Sequence, residues 1–186
     1  GFLRAYNSVR EKLMMTIAHL MSATNYQLCV VGHSLGGSLA VLAAVELKLL
    51  LPAACVRNIR VYTFGEPRVG NKAFANYYDN LVPDTWRIVN KKDMVPKMPC
   101  TSLSFKVYKH HRNLVYLYEN PGSNAHVINP PKKSDKRVKL ARKEQIERGD
   151  IAELDYDLNF GDNIGGTVDA HINYLGTRFP PRPKMS

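Results

Sequence analysis

The segment Val30-Val31-Gly32-His33-Ser34-Leu35-Gly36-Gly37 centres a serine in a Gly-x-Ser-x-Gly pattern, between an apolar run and a stretch of small residues. A serine hydroxyl is a weak nucleophile until a neighbouring base takes its proton. A sharp turn from strand to helix suits that need, because it lifts the hydroxyl above the end of the sheet. Glycines two residues before and after it let strand and helix approach closely. The following helix adds the positive end of its dipole, which favours negative charge developing on a substrate. The same residues could form a glycine-rich turn with no chemistry, so the pattern needs partners.

Where a serine sits on such an elbow, its carboxylate and then its histidine follow on loops after later strands. Asp93 meets the requirement for the acid, since it follows a strand-like run ending at Asn90 in Asn90-Lys91-Lys92-Asp93-Met94-Val95-Pro96. Its bland reading is a solvated carboxylate neutralised by Lys91 and Lys92; Met94, Val95 and Pro96 argue that the loop packs inward. Asp150, Asp155, Asp157, Asp162 and Asp169 compete by order, although none follows so clear a strand. Six histidines compete for the base. His19 precedes the serine, which its order excludes. His33 adjoins the serine and is read as a packing residue that points elsewhere. His110, His111 and His126 follow Asp93, and the first two also fit solvated turn positions. His171, beside the apolar run Ile172-Asn173-Tyr174-Leu175, is the favoured base.

These residues need a scaffold, and composition permits one. The 186 residues fit a single domain, 1–186. Hydrophobic residues make up 45% and charged residues 23%, which supports a core and excludes a wholly disordered chain. Glu46 and Lys48 interrupt the most apolar stretch, 38–54, making it a core helix and not a membrane span. Cys29, Cys55 and Cys100 are odd in number and lack metal-type spacing, which argues against structural zinc or a full disulfide framework. One disulfide with a free thiol stays open, as does the compartment.

Apolar positions Phe2, Tyr6, Val9, Leu13, Ile17 and Leu20 recur at steps of three and four, predicting an amphipathic helix over 2–22. A strand over 26–31, a helix over 35–50 and a strand over 58–64 follow, the last closed by turn residues Gly65, Pro67 and Gly70. A short helix over 71–80 and a strand over 86–89 complete an alternation that predicts an α/β fold with a mostly parallel sheet. The runs 104–108 and 113–118 suggest a hairpin or edge strands. Residues 129–148 are polar and basic and are expected to form an exposed insertion.

Four ordered blocks resemble the class 3 lipases. They are Gly32-His33-Ser34-Leu35-Gly36-Gly37, Thr63-Phe64-Gly65-Glu66-Pro67-Arg68-Val69-Gly70-Asn71, Asn90 to Pro96, and Ala170-His171-Ile172-Asn173-Tyr174-Leu175-Gly176; the opening Gly1-Phe2-Leu3-Arg4-Ala5-Tyr6 is similar too. The resemblance implies an α/β-hydrolase fold, a central mostly parallel sheet flanked by helices, and hydrolysis of lipid acyl esters with no metal or organic cofactor. Fungal triacylglycerol lipases and plant phospholipase A1-type and galactolipid-type enzymes belong to that family. The resemblance implies Ser34 as nucleophile, Asp93 as acid and His171 as base, with the Leu35 backbone N–H as an oxyanion donor. It gives His111 a structural or pocket-edge role. The family carries earlier strands, a second oxyanion donor and a lid ahead of the Gly-Phe-Leu block. The expectation is therefore a partial domain lacking its N-terminal strands. A lipase-like protein acting as a non-catalytic regulatory partner is the alternative.

The net charge, 26 − 16 = +10, favours anionic surfaces. No stacking-aromatic or recognition-helix pattern accompanies the basic run, so nucleic acid is not an expected partner. A charge run is usually a solvated face; peripheral contact with an anionic membrane or lipid-droplet surface is the functional use that this charge would serve. Seven basic residues fall within Lys132 to Lys143, each worth up to about 1 kcal/mol near an anionic surface. Deleting these twelve residues should weaken sedimentation with phosphatidylserine vesicles and leave hydrolysis of a soluble short-chain ester intact. Vesicle binding insensitive to both the deletion and added salt would mark the run as a solvated face.

Overall fold

The computed structural model describes residues 1–23, 26–90, 93–99, 108–117, 126–128, 170–174 and 177–178. The basic run 129–148, the competing carboxylates from Asp150 to Asp169, Cys100 and residues 104–107 lie outside the described residues. Helix α1 spans Phe2–Ala23, strand β1 Cys29–His33, helix α2 Leu35–Leu50 and the short helix α3 Ala53–Val56. Strand β2 (Arg60–Phe64), strand β3 (Gly70–Asn71), helix α4 (Lys72–Leu81) and strand β4 (Thr85–Asn90) follow. The later strands are β5 (Tyr108–Lys109), β6 (Leu114–Leu117), β7 (His126–Ile128), β8 (Asn173–Tyr174) and β9 (Thr177–Arg178).

The central sheet has the order β1-β2-β4-β6-β7. Its first four strands run parallel and β7 joins antiparallel. Because the pairing is parallel, the chain must cross back over the sheet between strands, and α2 and α4 make those crossings. Alternation within each strand sends Val61 and Thr63 to the face under α2, and Tyr62 and Phe64 to the opposite face. Under α2, Ala40, Val41, Ala44 and Leu47 pack on Val61, Tyr78 and Val82, with Met14 and Ile17 of α1 at the margin. Val41, Leu47 and Val61 are fully buried, and each such side chain contributes about 1.5–3 kcal/mol relative to exposure. On the other face Ile88 and Leu117 pack with Tyr62, Phe64, Trp86 and Val115.

Several expected boundaries move, for reasons visible in the pairing. Strand β1 begins at Cys29 and not at Tyr26, because its partner β2 starts only at Arg60 and the register runs Cys29↔Arg60 to His33↔Phe64. The fourth helix is capped by Asn71, whose side-chain oxygen accepts from the Phe74 N–H at 2.8 Å. Among the described residues of the runs 104–108 and 113–118, Tyr108 and Leu114–Leu117 do not pair with each other. Strand β5 pairs with β3, whereas β6 lies inside the sheet between β4 and β7. The apolar face of α1 also differs from its periodicity. Val9 is 50% exposed and Leu20 51%, while Tyr6 and Met21 are buried. At that level Arg10 and the Tyr6 hydroxyl both bind the Glu46 carboxylate on α2, so a polar clasp occupies the place expected for Val9.

Cys29 and Cys55 are free thiols. Among the described residues no helix is long and apolar enough to cross a membrane.

The two outer glycines of the serine motif are not equivalent. A Cβ on Gly32 would drive into the Gly36 carbonyl, whereas a Cβ on Gly36 would meet nothing within 4 Å. Only the first permits close approach of β1 to α2. Gly32→Ala should destabilise the fold by about 1–3 kcal/mol, the range for overpacking a close contact. Gly36→Ala should leave stability unchanged or raise it by up to about 1 kcal/mol through helix propensity. Urea denaturation of both variants checks the contrast.

Candidate active site

Ser34 stands between β1 and α2 with φ 56° and ψ −125°, a region that costs a non-glycine residue about 1–3 kcal/mol. Neighbouring backbone holds it there: its N–H donates to the Phe64 carbonyl at 2.9 Å, and its own carbonyl accepts from Gly37 at 3.0 Å. A serine at a helix N-cap ordinarily turns its oxygen toward the first helical N–H groups. Ser34 makes no such cap, and its Oγ lies 2.8 Å from Nε2 of His171.

Asp93 follows β4 and is fully buried. Its backbone N–H donates to the Asn90 carbonyl at 3.0 Å, and its Oδ1 accepts from the Val95 N–H at 2.8 Å. Oδ2 is 2.8 Å from Nδ1 of His171. A carboxylate only accepts, so Nδ1 carries the proton, and Nε2 is left with its lone pair toward the Ser34 hydroxyl. The structure thus brings Ser34, Asp93 and His171 together in one hydrogen-bonded row, although His171 stands 137 residues from Ser34 and 78 from Asp93.

The acid loop is held from two sides. Arg68 donates through Nη1 to the carbonyls of Lys97 and Pro99, and its backbone N–H donates to Met98 at 2.8 Å. His110 donates from Nε2 to the Pro96 carbonyl at 2.6 Å. Burial, reinforced by the Arg87 charge, pushes the His110 pKa well below the usual histidine range, so the ring is neutral. His110 is therefore a loop anchor and not a solvated turn residue. His111 is buried, with Nε2 3.2 Å from Glu66 Oε2 and its ring against Tyr78. Its carbonyl accepts from Arg87 Nε at 3.2 Å. Burial lowers the Arg87 pKa to about 10, opposed by the negative charge of Glu66. His111 thus belongs to a buried polar group behind the start of α2, in the structural role expected of it.

Two residues matter more here than their sequence context suggests. His33 does not point away: its Nε2 is 2.7 Å from the His171 carbonyl, and the two rings lie 4.7 Å apart, tilted by 35°. Alternation along β1 could say that His33 leaves the strand on the face opposite Gly32, but not that a loop 138 residues later would meet it. Gly65 was legible only as a turn residue. It has φ 60°, and a Cβ there would fall 2.6 Å from Asp93 Oδ2 and 2.9 Å from His171 Nδ1. Glycine at this position leaves space for the acid–histidine hydrogen bond.

Leu35 opens α2, so its N–H falls in the first helical turn, where backbone donors have no intrahelical acceptor. In front of Ser34 lies a cleft of about 340 Å³ lined mostly by apolar side chains, among them Phe2, Leu35, Val95, Met98 and Tyr108. Leu35, Met98 and Tyr108 are exposed at its mouth.

A mostly parallel sheet flanked by helices, with a serine on the turn after one strand and a carboxylate after another, is the architecture of an α/β-hydrolase. The profile of the family described as "Lipase (class 3)" matches residues 1–103, and the chain belongs to that family. A lipase from Rhizomucor miehei is 38% identical over 106 residues, which are 56% of this chain and 29% of that protein. The crystal structure of a lipase from Rhizopus microsporus var. chinensis superposes with TM-score 0.68 at 28% identity, covering 96% of this chain and 54% of that one. A triacylglycerol lipase described as having a serine protease triad as its catalytic centre superposes equally well. Its TM-score is 0.68 at 26% identity, over 96% of this chain and 58% of that one. The chain therefore spans little more than half the length of these solved lipases.

On the reading of Ser34, His171 and Asp93 as a catalytic triad, Gly65→Ala should lower kcat for a short-chain ester by up to about 10⁴-fold, the cost of losing the acid's hold on the histidine. It should also lower the unfolding temperature, since alanine is strained at positive φ. Steady-state kinetics with thermal unfolding checks both.

Proposed function

We propose that this chain carries the catalytic centre of a lipid ester hydrolase, with Ser34 as nucleophile, His171 as general base and Asp93 as the acid that orients it. The observation that carries the reading is the pair of 2.8 Å contacts on either side of the His171 ring. In the reaction, Nε2 of His171 takes the hydroxyl proton as Ser34 Oγ attacks the ester carbonyl. The tetrahedral oxyanion then accepts a hydrogen bond from the Leu35 N–H, at the positive end of α2. Asp93 keeps the Nδ1–H tautomer and stabilises the imidazolium. The imidazolium protonates the leaving alcohol, and an acyl-serine remains. Water then loses a proton to Nε2 and attacks the acyl carbon, releasing the carboxylic acid and restoring Ser34.

The apolar cleft beside Ser34 supports an acyl chain as the bound group, and its exposed apolar mouth suits entry from a lipid surface. Triacylglycerol is the substrate the solved relative's description favours; a phospholipid cleaved in the manner of a phospholipase A1 is the competing class. The basic run 129–148 would hold the protein on an anionic lipid surface.

Hydrolysis of a panel of tri-, di- and monoacylglycerols and phospholipids by the full protein tests the reading. Ser34→Ala and His171→Ala should each lower kcat by roughly 10⁶-fold, to a similar floor, because nucleophile and base act as one unit. His111→Ala should cost far less. Residual activity within tenfold of the parent in Ser34→Ala would reveal another nucleophile.

A further inference from the structure

We propose that His33 is a positioning residue for the base, its side-chain N–H holding the backbone carbonyl of His171 so that the imidazole stays in line between Asp93 and Ser34. The inference rests on the ester-hydrolase reading above. A hydrogen-bonded row has little tolerance: Nδ1 and Nε2 of His171 must both sit 2.8 Å from their partners, on two different loops. His171 lies two residues before β8, Asn173–Tyr174. Side-chain contacts with Asp93 and Ser34 orient the ring, whereas a hydrogen bond to the His171 carbonyl fixes the backbone that carries it.

His33 supplies that anchor from a rigid place. It is the last residue of β1, paired with Phe64 in the parallel register. The next residue is Ser34, whose N–H is itself fixed to the Phe64 carbonyl. One strand end therefore carries both the nucleophile and the donor that locates its base. The acceptor is a carbonyl, which cannot donate, so the Nε2 of His33, 2.7 Å away, must carry the proton. The ring also lies against the His171 ring at 4.7 Å, closing the side of the imidazole that Asp93 and Ser34 leave open. Burial lowers the His33 pKa, with the neighbouring His171 adding to the effect and the His171 carbonyl and Asp93 opposing it. An uncharged His33 does not repel the imidazolium that forms during the reaction.

Two substitutions separate donor from ring. His33→Gln keeps an N–H donor on a side chain of similar reach, and His33→Phe keeps the ring without the donor. In the full protein, His33→Phe should lower kcat for a soluble short-chain ester by roughly 10–100-fold with KM within about twofold, the scale of a misplaced catalytic group. Its labelling by a fluorophosphonate should slow by a similar factor. His33→Gln should recover most of both rates. Long-range proton–nitrogen correlation on the unsubstituted protein gives a readout independent of either variant's folding, and should show the neutral Nε2–H tautomer at His33. An Nδ1–H tautomer, a His33→Phe protein that labels at the parental rate, or a His33→Gln protein that falls as far as His33→Phe would each overturn the proposal. A parent protein that neither hydrolyses esters nor labels would overturn the ester-hydrolase reading and the role of His33 with it.

Discussion

Parallel pairing of β1, β2 and β4 is the constraint on which the rest of the site depends. Parallel strands all point their carboxyl ends to one edge of the sheet, so the residues that follow them emerge side by side. Ser34 follows β1, Gly65 follows β2 and Asp93 comes three residues after β4 ends at Asn90. The register His33↔Phe64↔Ile88 sets the ends of β1 and β2 level, while β4 runs two residues further to Asn90. The backbone bonds Ser34 N–H to Phe64 and Gly65 N–H to Ile88 carry the pairing past the strands into the turns themselves. A slip of one residue in either pair would invert the facing of every side chain beyond it and separate the hydroxyl from the carboxylate.

The strain at Ser34 follows from the same geometry. Strand β1 must turn within one residue into α2, whose Ala40, Val41, Ala44 and Leu47 are committed to the core. That commitment fixes the helix, the sheet fixes the strand, and the backbone between them is left with φ 56°. Packing under α2 is large enough to offset a local cost of about 1–3 kcal/mol. The result is a hydroxyl freed from capping its own helix and available to His171. Energetics of the core and chemistry of the site are connected through that single residue.

Around this row the carbonyls of the acid loop and of His171 are the points of attachment. Arg68 and His110 hold Pro96, Lys97 and Pro99, and His33 holds His171. Donors on other elements thereby restrain both loops. Partly buried histidines suit this use because a neutral ring offers one N–H donor without a charge that burial would penalise.

The alternation of helix and strand, the elbow serine and the acid loop were all legible in the sequence, because each is a local pattern. Small residues flank Ser34, a strand of apolar residues precedes Asp93, and turn residues close β2. Order along the chain sufficed to prefer His171 over His19, and the ordered motifs pointed to the class 3 lipase family to which the chain belongs. What sequence could not contain was any relation between loops far apart in the chain. Whether Asp93 and His171 come within 2.8 Å depends on strand order and register, which no local spacing encodes. The same limit hid the contact between His33 and the His171 carbonyl, the space that Gly65 leaves beside Asp93 Oδ2, and the interior place of β6. It also explains α1, where periodicity selected Val9 but the contact that forms with α2 runs from Tyr6 and Arg10 to the Glu46 carboxylate. Residue types decided what each segment could do; the sheet decided which of them meet, because only parallel pairing brings strand ends so far apart in the chain to one edge.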